Sequence, residues 1–158
     1  MNKLLVAAAL SIAGLPALAE APSVPYPDGY RDWHHVKSMV IKEGHVLYEA
    51  FGGIHHIYAN ELALSGYRNG QFPDGAVIVF DLLEAVHADD TVTEGERKVA
   101  GVMHKDAMKY ADTGGWGFEG FAGGDATQPV VGDHAASACF ACHQPLAARD
   151  YVFSTLRE

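Results

Sequence analysis

At 158 residues the chain is long enough for one domain with a real hydrophobic core. It carries 20 acidic against 11 basic residues, a formal net charge of −9. That balance argues against a nucleic-acid ligand and against docking on anionic lipid.

The chain opens with one positive charge, Lys3, followed by an apolar run from Leu4 to Leu15. The small-x-small pattern Ala17-Leu18-Ala19 comes next, then Glu20. This is the layout of a secretory signal peptide over residues 1–19. The run is shorter than the roughly 20 residues a membrane helix needs, and no later segment is apolar enough to cross a bilayer. The expectation is an exported protein, periplasmic in a Gram-negative host, with no membrane attachment once the signal is cleaved. Residues 20–29 read as an irregular lead-in, rich in proline and glycine. Residues 30–158 read as a single domain.

Within that domain Trp33 to Ile41 mixes β-branched, aromatic and polar residues and is expected as a strand, as are His45 to Phe51 and Ile54 to Tyr58. Asn60 can cap a helix, Glu61 suits its first turn, and Gly70 can end it in a left-handed conformation. Pro73-Asp74-Gly75 is a turn, leading into an apolar strand from Ala76 to about Leu83. Asp89 to Glu96 is polar and turn-like, and Arg97 to His104 is a further strand. Asp106 to Asp112 suggests a short helix. Gly115 to Phe121 sets glycines among Trp116, Phe118 and Phe121, the pattern of a close-packed strand. Gly123 to Asp133 is a loop, and Ala135 to Ala148 is alanine-rich and helical. The sum is an α+β fold, mostly antiparallel sheet with a few helices.

The only two cysteines lie in the pentapeptide Cys139-Phe140-Ala141-Cys142-His143. A disulfide across two residues would close a very short loop and is usually a redox centre, yet redox motifs of this spacing open a βαβ unit. A structural zinc needs four ligands, and no second Cys/His pair at finger spacing accompanies this one. The third reading fits every element: c-type haem attachment. Both thiols add to haem vinyl groups, and a spacing of three on a helical turn brings the sulfurs to one edge of the porphyrin. His143 is then carried beneath the ring as the iron ligand. One haem c is therefore expected, tethered by Cys139 and Cys142, with His143 on the metal.

The chain resembles the cytochrome P-460 family and its close relative, cytochrome c'-beta, from about Pro27 to Phe153. The resemblance is carried by Tyr30–Trp33 ("YRDW"), Gly70–Val79 ("GQFPDGAVIV"), Trp116–Phe121 ("WGFEGF") and Cys139–Phe153 ("CFACHQPLAARDYVF"). It implies a mostly antiparallel sheet with the haem on a C-terminal helix, a homodimer, and five-coordinate iron with an open distal face. P-460 members oxidise hydroxylamine and carry a lysine linked to the haem ring. The c'-beta members lack that chemistry and bind small gases beneath an apolar cap. The position of the cross-linking lysine falls on Phe80, which has no nucleophile. The family's distal arginine falls near His55, across a one-residue gap.

The resemblance and the phenylalanine together lead to a periplasmic cytochrome that binds nitric oxide or a related small nitrogenous ligand at open iron. Two alternatives remain: a hydroxylamine oxidoreductase that works without the lysine, and a monohaem electron carrier with a redox partner protein. Phe80 is the expected distal wall, and equally an ordinary core aromatic. His55, and less so His56, could hydrogen-bond a distal ligand or bind iron directly. Met39, Met103 and Met108 could supply a sixth ligand, although methionine in a strand is more often core filling. Glu119 reads as a solvated edge-strand carboxylate, able to accept a proton only if buried. Lys37, Lys105 and Lys109 read as solvated charges.

Overall fold

Short β-branched and aromatic runs, separated by turn chemistry, build a five-stranded antiparallel meander. The structure, a computed structural model, describes residues 24–157; the expected signal segment, residues 1–19, lies outside the described residues. The strands are β1 His34–Ile41, β2 Gly53–Ala59, β3 Val77–Ala88, β4 Thr91–Lys105 and β5 Trp116–Ala122, in the order β1-β2-β3-β4-β5. Among the described residues three α-helical segments accompany them: α1 Tyr48–Phe51, α2 Glu61–Asn69 and α3 Ala141–His143. The expected α+β class, antiparallel and with a helical stretch at the cysteines, is what forms.

Helix α2 starts and stops where its chemistry says it should. Asn60 Oδ1 accepts the Ala63 N–H at 2.8 Å, and Gly70 ends the helix at φ 79°. The same oxygen takes the Val77 N–H at 3.1 Å, so one side chain caps the helix and anchors the start of β3.

Three expectations need correction. His45 to Phe51 is not a strand. His45 Nδ1 accepts the Leu47 N–H, which folds the chain into a turn, and α1 follows. Val46 is 93% exposed there, so no core draws this apolar run into a sheet. Asp89 to Glu96 is turn only at Asp89 and Asp90, both with positive φ (50° and 58°), the requirement of a tight two-residue hairpin. Strand β4 resumes at Thr91; its polar sequence reflects a hairpin arm whose faces are mostly in solvent. Asp106 to Asp112 is a turn, capped by Asp106 Oδ1 on the Met108 and Lys109 N–H groups, and it leads to a 3-10 turn at Ala111–Thr113.

Strand register decides which side chains meet. Ile57 pairs with Phe80, Phe80 with Gly101, Ile78 with Met103, and Met103 with Phe118, placing these residues on one face. There Ile57, Ile78, Phe118 and Trp116 form the main core with Ala63 of α2 and Val152. On the other face Ala100, Val102 and Phe121 pack against Val24 and Tyr26, so the segment before β1 serves as a lid. That face also buries Asp81, 1% exposed, which takes a bidentate contact from Arg97.

The outer edge of β5 is closed by the following loop, through Ala122 N–H to Gln128 O and Val130 N–H to Gly120 O. The chain then turns into a helical stretch of changing pitch: a π-helical segment Ala136–Phe140, α3, and a 3-10 segment Gln144–Arg149.

Candidate cofactor-binding site

The helical stretch lays Cys139 and His143 against the main core face and leaves Cys142 exposed. Both cysteines are free thiols, Cys139 half-buried and Cys142 exposed. Burial pushes the Cys139 thiol up to about 11, helped by the charge of Glu119 and by Cys142. A redox Cys-x-x-Cys pair depends on the opposite, a depressed pKa that exposes thiolate. Cys139 therefore lacks the depressed pKa that marks an exchange centre.

His143 is held on three sides. Its ring lies 5.0 Å from that of Phe118 and 4.8 Å from that of Phe153, and Nδ1 sits 2.7 Å from the Tyr151 carbonyl oxygen. A carbonyl can only accept, so Nδ1 carries the proton and Nε2 presents its lone pair. Burial lowers the ring's pKa, and the Tyr151 hydrogen bond partly opposes that shift. A neutral imidazole with an oriented free nitrogen is what a metal ligand needs. The residues therefore fit a haem c: two unpaired thiols three residues apart, and a pre-oriented imidazole directly after the second.

Glu119 corrects the expectation of a solvated carboxylate. It is 3% exposed. Its Oε1 accepts the N–H groups of Gly120 (2.9 Å) and Val131 (2.7 Å), and Oε2 that of Gly132 (3.2 Å). These bonds fix the loop that feeds the cysteine-bearing stretch. The available signal was a charge flanked by glycine and aromatics, a setting with little room for water.

Phe80 shares the sheet face of Phe118, and its ring stacks 4.5 Å from that of His55 and 5.7 Å from that of Phe51. Beside it on β4 stands Gly101, which leaves bare backbone next to the aromatic ring. Phe80, Cys139 and Phe140 all pack on the main core. The sequence singled out Phe80 and His55, and the fold brings them together. Phe51 was missed, because its segment read as a strand.

His55 is 6% exposed, and its Nδ1 is buried without a hydrogen-bond partner. Burial, aided by neighbouring His56, lowers its pKa from 6.5 to about 4. The unfolded chain therefore takes up the proton first as pH falls. Stability owed to neutral His55 is intact above pH 6.5 and is lost on the way down to about 4. The shift corresponds to about 3 kcal/mol. Urea midpoints followed across that window should fall more steeply for the native protein than for His55→Gln; parallel slopes would show that His55 does not carry the acid sensitivity.

The remaining candidates separate. His56 points to the opposite face, bonded to Ser38 Oγ at 2.6 Å and Glu94 Oε1 at 2.7 Å. Met103 packs on the main core beside Phe118. Met39 lies across from His55 at 50% exposure, and Met108 is 92% exposed. Lys37 reaches Thr155 Oγ1 at 2.7 Å. Lys105 is not solvated: it is buried, with Nζ 2.6 Å from Asp150 Oδ1.

A family model described as Cytochrome P460 matches residues 27–154. No curated protein matches the chain.

Proposed function

Because this chain belongs to the cytochrome P460 family, and is on that ground a haem c cytochrome, we propose that it is a periplasmic, gas-binding member of the c'-beta kind. Nitric oxide or a related small nitrogenous molecule is the ligand, and nitrogen-oxide binding or detoxification is the role. The observation that carries this reading is the aromatic wall of Phe80, stacked on His55 and flanked by Phe51. The family resemblance sets Phe80 at the position where the hydroxylamine-oxidising members carry their lysine.

Each residue has a part. Cys139 and Cys142 tether the haem, and His143 binds its iron through Nε2. When bound, the haem supplies a coordination position for a diatomic molecule. Phe80 and Phe51 line the approach with hydrocarbon, which disfavours charged and strongly hydrated ligands. His55 is held neutral, so it offers a hydrogen bond without placing a cation beside the ligand. Residues 1–19 serve as the export signal, residues 30–158 as the haem domain, and the protein works as a homodimer.

Optical spectra of the ferric and ferrous protein, before and after addition of nitric oxide, test the reading. High-spin, five-coordinate spectra that change on adding the gas are expected. A low-spin ferric spectrum with a methionine-to-iron charge-transfer band would instead make the protein an electron carrier. Hydroxylamine turnover with an electron acceptor, together with a lysine-linked haem peptide by mass, would favour the oxidoreductase.

A further inference from the structure

The imidazole of His143 is aimed by a main-chain oxygen that sits in an unusual piece of backbone. Tyr151, whose carbonyl takes the Nδ1 proton, has φ 65°, and Asp150 before it has φ 49°. Two successive non-glycine residues in the left-handed region are unfavourable and persist only where the surroundings enforce them. The enforcement is concentrated on Asp150. Its Oδ1 lies 2.6 Å from Lys105 Nζ, its Oδ2 accepts the Phe72 N–H at 2.9 Å, and its main-chain oxygen accepts Trp116 Nε1–H at 2.9 Å. Lys105 is held in turn: Nζ donates to the Gly114 carbonyl at 3.2 Å and lies 5.0 Å from the centre of the Trp116 ring. Both members of the ion pair are mostly buried, with side chains 9% and 14% exposed. The end of β4, the start of β5 and the segment after α2 thus converge on one residue, the first and last on its carboxylate and β5 on its main-chain oxygen.

We propose that Asp150, clamped by Lys105, is a positioning residue for the iron ligand: it holds the left-handed turn that directs the Tyr151 carbonyl at His143 Nδ1. This rests on the reading of His143 as the ligand. The consequence is electronic. A hydrogen bond from Nδ1–H to a fixed carbonyl makes the imidazole a stronger donor at Nε2. Releasing the clamp lets the turn relax, lengthens that bond and weakens the donor. The iron–histidine bond then softens, and the oxidised iron loses part of its stabilisation.

The test uses the haem-loaded protein and three variants: Asp150→Asn, Lys105→Met and the double variant. Asparagine keeps the size of the side chain and an acceptor for the Phe72 N–H while losing the charge that holds Lys105. The readouts are the iron–histidine stretching frequency in the ferrous resonance Raman spectrum and the midpoint potential. Both single variants should shift the frequency down and the potential up, and the double variant should shift them no further than the larger single effect, because the pair acts as one clamp. Native frequency and potential in the single variants, with only a lowered melting temperature, would overturn the proposal and leave the ion pair as a stability element. If Asp150→Asn does not fold, Lys105→Met decides by the same two readouts. Absence of an iron–histidine band in unmodified ferrous protein whose optical spectrum is high-spin and five-coordinate would remove His143 from the iron, and the clamp's role would fall with it.

Discussion

Replacing Cys139 and Cys142 together with serine is expected to abolish covalent haem. A denaturing gel stained for haem peroxidase activity should lose its band, while the unmodified protein stains strongly. The argument is chemical. A thiol adds to a vinyl group to give a stable thioether, and a serine hydroxyl does not. His143 would remain, but one coordinate bond does not survive denaturation. The single variants separate packing from chemistry. Cys142 is exposed, so Cys142→Ser changes little besides the bond. Cys139 packs on the main core, so Cys139→Ser also sets a hydroxyl against hydrocarbon and should lower stability by about 1–2 kcal/mol. Each single variant should keep one thioether and stain. An undiminished band from the double variant would overturn the attachment assignment.

Gly53→Ala is expected to be the most damaging single-methyl change to the fold. Gly53 opens β2 with φ 134°, a conformation that side chains rarely adopt. A Cβ built there would lie 2.2 Å from the Leu83 carbonyl oxygen, which is backbone and cannot swing aside. Either the β2–β3 pairing opens or the chain distorts, and a cost of about 4 kcal/mol or more follows. For a domain of this size that lowers Tm by on the order of 10 °C. Thermal unfolding followed by circular dichroism measures it. His55 is two residues along the same strand, so ligand binding should suffer as well as stability. A melt within about 2 °C of the unmodified protein would show that the strand absorbs the methyl without strain.

Much of this was legible in the sequence because the signals were local. Asn60 and Gly70 mark both ends of α2 by their own chemistry, and the Cys-x-x-Cys-His pentapeptide gathers two thiols and an imidazole within five residues. Phe80 and His55 were identified through the family resemblance and meet across β2 and β3. What stayed hidden depends on partners far away in sequence. Nothing near Glu119 announces that it will accept N–H groups from residues 131 and 132. Lys105 and Asp150 are 45 positions apart, and neither carries a pattern that predicts burial. The β3–β4 arm was read as a turn because exposed strands lose the apolar alternation by which buried ones are recognised. Segment 45–51 failed for the converse reason, being apolar without a core to pack on.

The meander also sets an order of assembly. Each strand pairs with the one just before it in the chain, so the sheet can zip up through short loop closures without waiting for distant partners. Among the described residues, the stretch from Ala136 onward makes no sheet ladder. It settles on a finished surface through Cys139, Phe140 and the Lys105–Asp150 contact. The topology therefore lets the scaffold form without the segment that carries the thiols. On the proposed haem attachment, local opening of that segment with the sheet intact would uncover Cys139, whereas Cys142 is exposed without it.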